Sequence, residues 1–174
     1  MNSRERVLKA LSRQEPDRIP FDLGGTAVTG IHAQAYQTLR RYLGLSVTET
    51  EIVNVSQQLA RVEDDIANRL KVDVKGVSPR YASNFKLEFE DRGEYTWYYD
   101  EFRIGRRKPK AGGWYFDFSD QPLSGEISEE QVDQFPWPNP LDPARFVGLK
   151  ERTLNVVESE KRAVVLSDLC SGVL

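Results

Sequence analysis

The stretch Arg18-Ile-Pro-Phe-Asp-Leu-Gly-Gly-Thr-Ala-Val-Thr-Gly30 opens like a strand and closes as a run of small residues. Ile19, Phe21 and Leu23 form a short apolar segment bounded by Pro and Gly, which predicts a buried β-strand over 19–23 with Pro20 at its start or edge. Gly24, Gly25 and Gly30, with Thr26 and Thr29 between them, then leave the backbone open to close approach. A ligand can use that opening, and a tight strand-to-helix connection calls for the same residues. The spacing is not Gly-x-Gly-x-x-Gly, so it carries no dinucleotide fingerprint. Asp22 either projects from the strand end toward a ligand or caps the glycine turn. His32, in the first turn of the next segment, either contacts a ligand or serves as a cap or packing group.

Helical and extended patterns flank this stretch. Asn2 and Glu5 have capping-box spacing, with Val7, Leu8 and Leu11 as the apolar stripe of a helix that ends before Pro16. A second helix is predicted from His32 to Leu43, stopped by Gly44. A third is predicted to start at Asn54 and to bury Leu59, Val62, Ile66 and Leu70. Val72 and Val74 then alternate as a strand ending near Gly76 and Pro79. From about 84 to 118 the alternations Phe85/Leu87/Phe89, Tyr95/Trp97/Tyr99 and Trp114/Phe116/Phe118 predict an inserted β-meander, with a basic loop from Gly105 to Gly113. Prolines keep 119–141 irregular. Asp142 and Pro143 open a helix running to about Glu160, and Ala163–Leu166 is an apolar strand suited to a buried parallel sheet.

Composition sets the class. The chain has 174 residues, 39% hydrophobic and 29% charged, with a net charge of −3. That charge gives no electrostatic reason to expect a nucleic acid or an anionic membrane as partner. One cysteine and one histidine allow no internal disulfide and no metal-ligand cluster. The start is charged and helical rather than a signal sequence, and no apolar run is long enough to span a membrane, so a cytoplasmic protein is expected.

The order helix, strand, helices, strand, meander, helix, strand predicts an α/β fold. A complete (β/α)8 barrel takes about 250 residues, so the expectation is the first half of such a barrel, the alternative being a small open α/β domain. Several segments, RERVLKALSRQEPDRIPFDLGG, GIHAQAYQTLRRYLGL, LKVDVKGVSP, YYDEFRI, the PL at 122–123 and FPWPNPLDPARFVGLKERT, occur in an order that resembles the uroporphyrinogen decarboxylase superfamily. That superfamily includes methylcobamide:coenzyme M methyltransferases and related corrinoid-dependent demethylases. The resemblance covers nearly the whole chain and implies residues 1–174 as the amino-terminal part of one TIM-barrel domain. Its site would lie at the carboxyl ends of the strands, with the Gly24-Gly25-Thr26 turn lining it.

The methyltransferase branch is the closer resemblance, through DLGGT followed by TGIH. It implies methyl transfer to a thiol or corrinoid acceptor, with zinc held by a His and two Cys and with a corrinoid or corrinoid protein as partner. His32 and Cys170 do not fall on that zinc motif, so the metal ligands are expected beyond Leu174 and the 174 residues alone are expected to be inactive. Decarboxylation of uroporphyrinogen-like tetrapyrroles is the alternative. It is disfavoured because GGTAVTG lacks the arginines that grip carboxylates and Gly76-Val-Ser-Pro79 lacks an acid. A catalytically silent binding module is the third reading. Asp22, Gly24, Gly25, Thr26, Thr29 and His32 are the candidate contacts to a small-molecule substrate. Arg103, Arg106, Arg107, Lys108 and Lys110 form either a solvated loop or a docking surface for an acidic partner. The aromatic residues of the meander are read as a minicore or as a stacking platform, and Cys170 as an inert thiol or one facing the site. Open sheet edges allow self-association.

Overall fold

The structure is a computed structural model that describes residues 1–47 and 49–167. Along the chain the elements are α1 (Ser3–Leu11), α2 (Ala33–Tyr42), β1 (Ile52–Asn54), β2 (Leu59–Ala60), α3 (Asp64–Arg69), β3 (Val74–Val77), β4 (Phe89–Arg92), β5 (Tyr95–Tyr99), β6 (Gly105–Pro109), β7 (Asp117–Asp120), α4 (Glu129–Gln134), α5 (Leu149–Asn155) and β8 (Ala163–Leu166). They divide into two units, Met1–Pro79 with the chain from Val147 onward, and Arg80–Phe146.

The first unit is built around one parallel pair. Val74 lies opposite Ala163 and Val77 opposite Leu166, so β3 and β8 run side by side in register. Asn2 starts α1 with the expected capping box, its side chain accepting from the Glu5 amide at 2.8 Å. Arg6 is the buried residue of that helix, whereas Leu11 is exposed. The apolar core is small: Tyr36, Ala60 and Ile66 are buried, with Leu23, Ile31, Leu39, Val62 and Leu70 packed against them.

The described residues are mixed α/β with small sheets, and the expected barrel is not evident among them. The described residues hold one parallel pair, one two-stranded antiparallel hairpin and one four-stranded antiparallel sheet. Segment 19–23 stays outside any ladder because Pro20 has no amide to donate and the Phe21 amide is taken by the Asp73 carboxylate at 2.9 Å. A single backbone bond, Asp73 N–H to Phe21 O at 2.8 Å, ties it to the chain entering β3. Ile19 is 86% exposed, so the segment is not the buried strand its apolar pattern predicts.

Two expected helices also break. Asn54 accepts from the Gln57 amide, but this closes a turn rather than opening a helix, and Gln58 takes a left-handed φ of 53°. Leu59 and Ala60 therefore pair with β1, leaving only Asp64–Arg69 helical. The helix expected over 142–160 is interrupted at Gly148, whose φ is 70°, into a tight turn at Pro143–Phe146, then α5, then a wide turn at Val156–Glu160.

In the second unit the meander forms, with four strands in sequential order β4-β5-β6-β7. The expected basic loop is strand β6, because Gly105–Pro109 pairs with β5 on one side and β7 on the other. Cross-strand register places Tyr95 and Trp97 beside Arg107, while Tyr98 and Phe116 are buried on the other face with ring centroids 4.9 Å apart. A short helix, α4, appears in the proline-rich segment on a capping box of Ser128 and Gln131.

Candidate functional site

The Gly24–Gly30 turn sits at the carboxyl end of β3, held there by contacts too close for any side chain. A Cβ at Gly76 would land on the Gly25 carbonyl oxygen, and one at Gly25 would lie 2.6 Å from Asp22 Oδ1 and 2.8 Å from Val74 Cγ1. Backbone is therefore packed on backbone at this strand end, with Gly25 itself buried. Gly24, at a φ of 81°, lets its amide turn back to donate to the Thr29 carbonyl at 2.8 Å.

The turn is closed by its own side chains. Asp22 Oδ1 accepts from the Gly25 amide at 2.9 Å, so Asp22 caps the glycine turn. Thr29 Oγ1 accepts from the Thr26 amide at 3.1 Å and lies 3.3 Å from Thr26 Oγ1. Both threonines are half-buried, and Val28 at the tip is 95% exposed. His32 lies at the other end of the segment as the N-cap of α2, its Nδ1 accepting from the Gln34 amide at 3.3 Å. Asp22, Gly24, Gly25, Thr26 and Thr29 are thus brought together, while His32 is engaged in starting a helix. Cys170 lies outside the described residues.

Two hydroxyl groups that the sequence does not advertise share this end of the sheet. Ser78 follows β3 and Ser167 follows β8, and their Oγ atoms are 2.8 Å apart. The Ser167 amide donates to Val77 O at 3.2 Å, which extends the ladder to its last residue. A lone serine carries no signature; the usable signal was that each directly follows the last residue of a strand run. Carboxyl ends of parallel strands are where ligands are bound in open α/β sheets.

Four of the basic residues of the run at 103–110 are occupied within their own unit, and Arg103 is exposed. Arg106 pairs with Asp100 at 3.3 Å and lies over Phe118, Arg107 stacks on Tyr95 at 4.7 Å, Lys108 lies over Phe116 at 5.0 Å, and Lys110 pairs with Asp91. These side chains hold the sheet faces rather than forming a loop in solvent.

Charge collects at the opposite end of β3. Asp73 is fully buried and accepts from Arg6 Nη1 at 2.6 Å, Arg18 Nη1 at 2.7 Å and the Phe21 amide. Burial alone would raise its pKa, but the Phe21 amide, the Ser3 hydroxyl and the two guanidiniums outweigh burial and hold it below the ordinary carboxylate value. Arg6 also grips Asp17 through two hydrogen bonds of 2.6 and 2.8 Å.

Among the described residues, no group of three or more His, Cys, Asp and Glu side chains is arranged to hold a metal ion. The described residues therefore supply no fitting ligand set for the zinc that the resemblance implies. No helix among the described residues is long and apolar enough to cross a membrane. Compared with known protein families, curated proteins and solved structures, the chain matches none.

Proposed function

We propose that the Asp22–Thr29 turn, with Ser78 and Ser167 beside it, is the ligand-contact surface of an enzyme that resembles the corrinoid-dependent methyltransferases of the uroporphyrinogen decarboxylase superfamily. The observation that carries the reading is the backbone-on-backbone packing of Gly25 against Gly76. It fixes a turn of small residues and hydroxyl groups at the carboxyl end of a parallel pair. Such a surface presents hydroxyl groups but no guanidinium, which suits a methyl-bearing or thiol ligand better than a molecule with many carboxylates. The methyl donor chemistry belongs to the corrinoid. This chain's residues supply contact and orientation. The proposed setting is the cytoplasm, where the single cysteine stays reduced.

The test is an equilibrium titration with methylcobalamin and, separately, with uroporphyrin, comparing the wild-type chain with T26V/T29V and with the hydroxyl-retaining T26S/T29S. Methylcobalamin is expected to bind, with affinity falling about tenfold when both hydroxyls are removed, as for two lost hydrogen bonds. The serine pair should keep that affinity. Binding of uroporphyrin in its place would install the decarboxylase reading, and binding of neither would remove the enzyme reading of this turn.

A further inference from the structure

The amino ends of β3 and β8 open on a cleft of about 500 Å³. Five cationic side chains, those of Arg6, Arg18, Lys71, Lys161 and Arg162, belong to its lining against two carboxylates, Asp17 and Glu160. Arg6, Arg18 and Arg162, with the neighbouring Lys75, are balanced by Asp17, Asp73, Asp64 and Glu160, which leaves the excess on the two lysines. The three arginines are spent on protein acceptors. Arg6 and Arg18 hold Asp73, and Arg162 bonds Asp64 and Glu160, each at 3.1 Å, and Asn68 at 2.6 Å. The ammonium groups of Lys71 and Lys161 meet no hydrogen-bond or ion-pair partner among the described residues.

Backbone conformation singles out the same two residues. Lys71 and Lys161 have φ of 56° and 55°, each just past a helical segment and just before a strand. Glycine is the unstrained choice there. Val74 lies opposite Ala163, so Val72 is level with Lys161 and Lys71 is one residue away. Neighbouring strands are about 4.8 Å apart, close enough for two lysine side chains to converge on one ligand. The amino end of α1, whose Asn2 and Ser3 also line the cleft, adds partial positive charge.

We infer that this cleft binds a small soluble polyanion of the phosphate type, with two adjacent oxyanion groups. Lys71 and Lys161 make the direct contacts and carry the uncompensated charge, while the Arg6, Arg18 and Arg162 guanidiniums, each paired with a carboxylate, line the cleft beside them. Lysine acts as a point charge toward phosphate and needs no bidentate geometry. This site is separate from the glycine turn at the other end of the strands and does not depend on the reading of that turn.

The experiment is calorimetric titration of the full chain with inorganic pyrophosphate, against sodium sulfate matched for ionic strength, in wild type and in K71G/K161G. Pyrophosphate is expected to bind and sulfate not, with at least about tenfold weaker binding in the double variant. The unliganded double variant should melt at the same temperature or higher, since glycine relaxes both left-handed positions. If the lysines are only structural, the melting temperature falls and pyrophosphate affinity does not, which overturns the inference. Equal binding of sulfate, or no binding of pyrophosphate to the wild type, overturns it as well. Amide shifts on pyrophosphate addition give a readout that needs no variant: Asn2, Lys71 and Lys161 should move while Gly24–Thr29 stay still, and the reverse pattern rejects this site.

Discussion

The two ends of the β3–β8 pair are built on opposite principles. At the carboxyl end, Gly25, Gly76, Thr26, Thr29, Ser78 and Ser167 are small and uncharged, and space is the controlling quantity. At the amino end, Asp73, Arg6, Arg18, Arg162 and Asp17 are ionic and mostly buried, and charge balance controls. One end tolerates no added atom, and the other tolerates no missing charge. A short sheet with a small apolar core is thus clamped at its base by ions and left at its top with a surface of small residues and hydroxyl groups beside the Asp22 carboxylate.

The strongest way to break this contrast is Asp73→Ala. It leaves Arg6 and Arg18 without their shared buried carboxylate and the Phe21 amide without an acceptor. The expected cost is about 3–5 kcal/mol, the range for removing one partner of a buried ion pair, read as a lowered denaturation midpoint. A loss below about 1 kcal/mol, the level of a surface pair, would show that the base clamp is not structural.

Gly76→Ala probes the other end. Its methyl group meets the Gly25 carbonyl oxygen, a backbone atom that moves only if the turn moves. Overpacking of this kind costs about 1–3 kcal/mol, and the turn should lose ligand contact with it. Unchanged stability would mean that Gly25 and Gly76 are not packed together.

The smallest effect is one of pH. The Arg6 guanidinium donates to Asp17 and, against some desolvation, lowers its pKa from 3.8 to about 2. A carboxylate depressed in the folded state stabilises above its unfolded pKa and loses that contribution as pH falls through the folded value. Wild type should therefore melt above Asp17→Asn at neutral pH, and the gap should close between about pH 4 and pH 2. A gap that persists unchanged to pH 2 would contradict the ion pair.

Part of this organisation was legible in the residues. The capping box at Asn2 and Glu5, the helix around Tyr36, the strand near Val74 and the meander follow from spacing alone, because local periodicity and local caps decide them. The barrel expectation failed where a long-range bond outbid a local pattern. Ile19, Phe21 and Leu23 alternate like a strand, yet the Phe21 amide is captured by Asp73, 52 positions away. Leu59, Val62, Ile66 and Leu70 all reach the core as their spacing suggests, but as a hairpin and a short helix rather than one long helix. At the candidate site, the glycines and threonines stood out as small residues in a row. Ser78 and Ser167 did not, since only the parallel register of β3 and β8 brings residues 89 positions apart into hydrogen bonding.

The most direct test of the central claim is an amide-resolved titration of the chain with methylcobalamin. Shifts are expected to concentrate on Gly24–Thr29, Gly76, Ser78 and Ser167, with the amides of Arg6, Lys71 and Asp73 unmoved. Shifts confined to the charged end, or none at saturation, would contradict the assignment of the glycine turn as the ligand-contact surface.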